Sequence, residues 1–323
     1  YPIVRNQQDI CLSAPTCSGK TLAYLLPLLA GIDLSSTDLQ VAILSPTQEL
    51  AVQIHDCIRA LESSTTPSVR SQLLIGNASA LRQKEKLKKK PHIVVGTLGR
   101  MLELGRTRKL KLHVCRSVVI DEADNLLADD RIADVEAFIK MTPRDRQLIF
   151  TSATQKGGAF GIAESIGKDV QWRAARSSQA QPPAIEHRYV ETRFHNKGRV
   201  LQQLLQSLTP ERAIVFVHRN VSAEELGDEL SRRHPQVAVI HGNLSKFARQ
   251  NALDCFRSGE IKVLIASDVA ARGLDIPLLP HVINFELPNI SEDYVHRIGR
   301  TGRAGASGEA LSLVSADETE FLR

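Results

Sequence analysis

The chain has 323 residues, 42% of them hydrophobic and 24% charged. That is the balance of a soluble globular protein with room for two domains of about 100–200 residues. No apolar run approaches the ~18 residues of a membrane span, and a net charge of +5 with 4% aromatics suits nucleic-acid binding through the backbone rather than by rows of stacked bases.

The chain opens Tyr1-Pro2-Ile3-Val4, without Met or a secretory apolar stretch, as expected of ends cut from something longer. Cysteines at 11, 17, 57, 115 and 255 form no C-x-x-C pair. This argues against zinc or a disulfide framework and for a reducing, cytoplasmic setting. Apolar runs at 10–13, 41–44, 73–75, 93–95, 118–120 and 148–150 read as parallel strands buried on both faces. Helices are expected between them, one over 49–61 with Leu50, Ile54, Cys57 and Leu61 as its apolar face. The basic run 82–90, RQKEKLKKK, reads as a solvated helix face.

At 173–185 (RAARSSQAQPPAI) the rhythm stops, and the composition becomes that of a linker. Strands are expected again at 214–217, 237–240, 263–266, 282–285 and 311–314. The expected organisation is α/β twice over: a first domain 1–174, a linker 175–185 and a second domain 186–323. Each domain is a mainly parallel sheet flanked by helices.

The chemistry begins after the first strand. Ala14-Pro15-Thr16-Cys17-Ser18-Gly19-Lys20-Thr21 leads into an apolar helix and matches the phosphate-binding loop apart from Ala14 at its first glycine. Backbone N–H groups at a helix N-terminus face phosphates. Lys20 adds charge there, and Thr21 offers a hydroxyl to Mg²⁺. A second signature reinforces the first. The strand 118–120 runs into Asp121-Glu122-Ala123-Asp124. Asp121 is placed to hold Mg²⁺, and Glu122 to orient or deprotonate an attacking water.

Asp121–Asp124 spells the signature of the DEAD-box helicases, and the order of further segments resembles that family over about residues 9–314. Pro46-Thr47-Gln48-Glu49-Leu50-Ala51 and Thr97-Leu98-Gly99-Arg100 resemble its first RNA-contact motifs. Ser152-Ala153-Thr154 resembles its coupling motif. The segments 267–276 and 296–303 resemble its motifs V and VI. The compact chain is most similar to small bacterial members.

The resemblance implies two tandem RecA-like domains with one ATP site, since the second half has no Gly-Lys-Thr or Gly-Lys-Ser. It implies that Arg300 and Arg303 reach the γ-phosphate as arginine fingers and that Asp275 touches the ribose. Asp124, His296 and the Ser152-Ala153-Thr154 turn would link nucleotide state to domain closure. RNA, single-stranded or duplex, would be held by backbone contacts to Pro46, Thr47, Gly76, Thr97, Gly99 and Arg100, and to Gly242, Arg249 and Ser267. The implied activity is RNA-stimulated ATP hydrolysis coupled to local, non-processive unwinding or RNP remodelling. The implied setting is a cytoplasmic monomer, off the membrane, with ribosomal or RNA-decay proteins as partners. The alternatives are a weakly catalytic, ATP-gated RNA-binding clamp and a DNA translocase of the wider superfamily.

Some positions depart from the family pattern. Cys17 and Asn77 replace glycines, Gln48 an arginine, Leu98 a proline and Lys246 a glutamine. Gln7 and Gln8 lie too close to the first strand to read adenine, a role that falls upstream of Tyr1.

Overall fold

The computed structural model describes residues 4, 6–14, 19–62, 69–76, 79–128, 130–152, 158–174, 185–268, 276, 279–288, 291–302, 307–316 and 318–319. It divides into two compact units, Tyr1–Arg176 and Ser177–Arg323. Among the described residues no helix is long and apolar enough to cross a membrane.

The first unit is built on β1 (Ile10–Ser13), β2 (Val41–Ser45), β3 (Ser71–Leu74), β4 (Ile93–Thr97), β5 (Ser117–Ile120), β6 (Gln147–Ser152) and β7 (Gln171–Ala174). They form one parallel sheet in the order β3-β4-β2-β5-β6-β1-β7. Its helices are α1 (Lys20–Ala30), α2 (Gln48–Glu62), α3 (Ala80–Leu87), α4 (Leu98–Arg106), α5 (Ala123–Leu126), α6 (Ile132–Ile139) and α7 (Gly158–Ile166).

Alternation along the inner strands explains why their sequences are continuously apolar. Val118 and Ile120 enter one core, while Val119 enters the other. Leu148 and Phe150 are divided from Ile149 in the same way. Each fully buried aliphatic side chain contributes about 1.5–3 kcal/mol. A polar residue in such a strand would therefore cost stability whichever face it met.

The second unit repeats the plan with β8 (Ile185–Glu191), α8 (Lys197–Leu208), β9 (Ala213–Val217), α9 (Asn220–Ser231), β10 (Val237–Ile240), α10 (Lys246–Ser258), β11 (Val263–Ser267), β12 (His281–Asn284), α11 (Ser291–Ile298) and β13 (Gly308–Val314). Its parallel sheet runs β10-β11-β9-β12-β13-β8. Val263 and Ile265 face one core, and Leu264 and Ala266 the other.

Several expectations need correction. The buried stripe of α2 is Ala51, Ile54 and Ile58; Leu50, Cys57 and Leu61 pack at its border. At 100° per residue this rotates the helix by about 60°. β3 runs from Ser71 to Leu74, so buried Ile75 lies beyond it, and β12 starts at His281 rather than at 282. Strands β7 and β8 were not expected at all. Arg173 and Ala174, inside the expected first domain, belong to β7, and Ile185, expected as the last linker residue, opens β8. Both are edge strands with much of their surface exposed, and they lack the apolar run that marks inner strands. The basic run does form the largely solvent-facing side of α3 and the turn after it, with Gln83 as its buried contact, donating to the Ile75 carbonyl at 2.7 Å.

Candidate functional site

In the first unit the described singled-out residues gather at the carboxyl edge of the sheet, the edge where open α/β folds hold ligands; in the second, Gly242 and Ser267 lie at that edge, whereas Arg300 lies by Leu279 at the amino end of β12. In the first unit the amide of Ala14, just after β1, donates to the carbonyl of Ser152 at 3.1 Å. This ties the root of the phosphate-loop segment to the end of β6. Gly19 has φ 85°, which a side chain rarely tolerates, and it turns the chain into α1. Lys20 and Thr21 are therefore the first residues of that helix. The Lys20 ammonium donates to the Ala14 carbonyl, and its charge acts on Asp121.

Asp121 follows β5 and is 3% exposed. Its Oδ1 accepts from the Thr151 hydroxyl and from the Glu122 amide, the latter at 3.2 Å. Its Oδ2 accepts from the Tyr24 hydroxyl at 3.2 Å. Burial raises its pKa, against the hydrogen bond from Thr151, the Lys20 charge and the hydrogen bond from Tyr24, which favour the ionised form.

Glu122 sits at φ 50°, a sparsely populated conformation for a non-glycine residue. Asn125 donates to its carboxylate at 3.2 Å. Such strain clusters at functional sites, and a carboxylate is a residue type that serves as a general base. Asp124, also on α5, faces β1: burial first and then its charge raise the Cys11 thiol to about 12, which leaves that cysteine unreactive.

The oxygens of Thr21 and Asp121 are hard donors, few in number, and suit Mg²⁺, which keeps waters and shares phosphate ligands. Among the described residues no group of three or more His, Cys, Asp or Glu side chains could hold a metal by itself.

Further along this edge lies Thr47, with Pro46 beside it in the β2–α2 connection. Its hydroxyl caps α2 by accepting from the Leu50 amide at 3.2 Å. Arg100 donates to the Gly76 carbonyl at 2.9 Å and pairs with Glu103 at 3.1 Å. A Cβ on Gly76 would lie 3.6 Å from Gln48 Nε2, so the residue that replaces an arginine still reaches this cluster. Thr97 is the N-cap of α4, and Leu98 fills core space at 7% exposure. A Cβ on Gly99 would meet nothing within 4 Å. Internal packing does not demand that glycine, whereas a closely approaching ligand backbone would.

In the second unit Asn220 was missed by sequence reasoning. Its Oδ1 accepts from the Ser267 hydroxyl at 2.9 Å and from the Gly242 amide at 3.1 Å, uniting two of the expected RNA contacts. Arg249 lies in the first turns of α10, its amide bonded to the Ser245 carbonyl at 3.0 Å. His296 is buried on α11 beside Arg297.

Arg297, 3% exposed, grips Asp268 through Nε and Nη2, both at 2.7 Å. His218 adds an Nδ1 contact to Asp268 at 3.1 Å. Burial works against the Asp268 carboxylate, but hydrogen bonds from His218 and Arg297 outweigh it and hold its pKa below the usual value. The same hydrogen bond raises His218. Arg297 also lies over the Phe216 ring at 5.2 Å. The expected γ-phosphate residue Arg300 directly follows this network; its carbonyl accepts from Leu279 at 3.2 Å. Pro15, Thr16, Cys17, Ser18, Asn77, Ala153, Thr154, Asp275 and Arg303 lie outside the described residues.

Residues 1–159 match the family model described as DEAD/DEAH box helicase, and residues 196–305 the helicase conserved C-terminal domain. The chain is 39% identical to the DEAD-box ATP-dependent RNA helicase CshC of Bacillus cereus, covering 99% of this chain and 82% of that protein. It is 37% identical to the probable ATP-dependent RNA helicase YfmL of Bacillus subtilis, over 99% and 84%. Among solved structures it resembles S. cerevisiae Dbp5 bound to RNA and ADP BeF3, with a TM-score of 0.85 and 28% identity over 98% of this chain and 81% of that one.

Proposed function

The chain belongs to the DEAD-box ATP-dependent RNA helicases, with two tandem RecA-like domains, and from that membership we propose how its residues share the work. It is an ATP-dependent RNA helicase. Its reaction is ATP hydrolysis stimulated by RNA and coupled to local strand separation. Gly19, Lys20 and Thr21, with the segment Ala14, Pro15, Thr16, Cys17 and Ser18, bind the phosphates. Thr21 and Asp121 would hold Mg²⁺, which when bound offsets charge on the phosphate oxygens. Glu122 orients the attacking water and takes its proton. Arg300 and Arg303 stabilise the charge that develops on the transferred group, and Asp275 binds the ribose.

Coupling is assigned to Asp124, Ser152, Ala153, Thr154 and His296. Thr151 gives this assignment a physical route: its hydroxyl holds Asp121 while its neighbour Ser152 receives the amide of Ala14. RNA is held through its backbone at Thr47, Gly76, Thr97, Gly99 and Arg100, and at Gly242, Arg249 and Ser267.

The observation that carries the reading is the buried Asp121 carboxylate with strained Glu122 beside it, on the sheet edge where α1 begins with Lys20-Thr21. A weakly catalytic RNA-binding clamp is not favoured, since the similar proteins are named as ATP-dependent helicases. The test is ATP turnover without nucleic acid, with single-stranded RNA and with DNA of the same sequence. Stimulation by RNA alone is expected. Equal stimulation by DNA would replace the RNA reading with a DNA translocase, and silence under all three conditions would return the clamp.

A further inference from the structure

Tyr24 belongs to none of the motifs, yet it is one of the largest side chains with no exposed surface. It lies on α1 three residues beyond Thr21, on the same face of the helix. A buried phenol needs a partner for its O–H, and here the partner is Oδ2 of Asp121, at 3.2 Å. Burial, followed by the charge of Asp121, raises the phenol pKa well above its ordinary value.

The phenol O–H thus donates to one carboxylate oxygen of Asp121. On the other carboxylate oxygen, Thr151 and the Glu122 amide fill the same role. The carboxylate is thereby fixed in orientation.

We propose that Tyr24 is a positioning residue for Mg²⁺ at the nucleotide site, anchoring Asp121 through its hydroxyl. The inference rests on the reading of Thr21 and Asp121 as the magnesium pair.

The test is ADP affinity of the full chain, measured by equilibrium binding with Mg²⁺ and again with EDTA, for the wild type and Tyr24→Phe. The wild type should bind ADP more tightly with Mg²⁺. Tyr24→Phe should keep the EDTA affinity and lose about tenfold of the magnesium gain, the scale of a lost hydrogen bond to a charged group. Thermal melting without nucleotide checks that the variant is folded. Tyr24→Met, a flexible filler of the same space, provides a second hydroxyl-free variant with the same expected loss. An equal magnesium gain in wild type and variants overturns the inference. So does equal weakening in both buffers, which would reveal a packing role only. No magnesium gain in the wild type itself overturns the magnesium reading, and this inference with it.

Discussion

Two aspartates occupy similar stations at the carboxyl edges of the two sheets and are treated in opposite ways. Asp121, beyond β5, is held among the described residues by the hydroxyls of Thr151 and Tyr24 and an amide, and burial raises its pKa. Asp268, beyond β11, is clamped by Arg297 at 2.7 Å through two nitrogens and is touched by His218, and its pKa is lowered. The first is acted on by the Lys20 charge and belongs to the ligand site proposed above. The second is hydrogen-bonded directly to a guanidinium, which makes it a closed joint. Among the described residues the two differ in whether a cationic side chain hydrogen-bonds the carboxylate.

This contrast can be broken in graded steps. The largest effect is expected at Glu122. Glu122→Gln keeps the shape and removes the base, so RNA-stimulated ATP turnover should fall about 10²–10⁴-fold with ADP affinity little changed; turnover within a few-fold of wild type would remove Glu122 from the chemistry. Next comes the joint. Asp268→Asn strands the buried Arg297 charge and should cost about 3 kcal/mol in urea unfolding at pH 7. The same exchange at the ligand site has the opposite sign. Without nucleotide or Mg²⁺, Asp121→Asn relieves a buried charge and should stabilise the chain by about 1 kcal/mol while abolishing turnover. If both variants destabilise equally, the contrast drawn between the two sites is wrong.

The smallest effect is at His218, whose pKa is raised above 6.5 by Asp268. The folded state binds its proton more tightly than the unfolded state, so the stabilisation is full below the unfolded pKa and fades as pH rises through the folded one. Arg297 and Glu286 also act on this ring, and it is 28% exposed. A decline of only a few tenths of a kcal/mol is therefore expected from about pH 6 to 8. His218→Asn should flatten it, and an unchanged slope in that variant would assign the titration to another group.

Much of this was legible from residues alone. The inner strands announce themselves because burial on two faces leaves no polar alternate positions, and β1 falls on residues 10–13 as expected. Gly19-Lys20-Thr21 and Asp121–Asp124 are legible because their chemistry needs fixed residue types beside a strand end. The edge strands β7 and β8 were not legible, since a half-exposed strand accepts the same polar and small residues as a linker. Nor was the true face of α2, where Ala51 carries little weight in an apolar pattern yet is fully buried.

By itself, then, the sequence determined the two α/β units, the order of their motifs and the residues at the phosphate and carboxylate ends. Only the tertiary structure decided how those residues are held. Tyr24 meets Asp121 across 97 positions of chain, and Thr151 meets it across 30. Asn220 joins Ser267 across 47. Such pairings follow from which strands lie side by side and in what register. Local propensity does not encode that, and so hydroxyls and amides that look like ordinary core and helix residues in the sequence become the supports of the site.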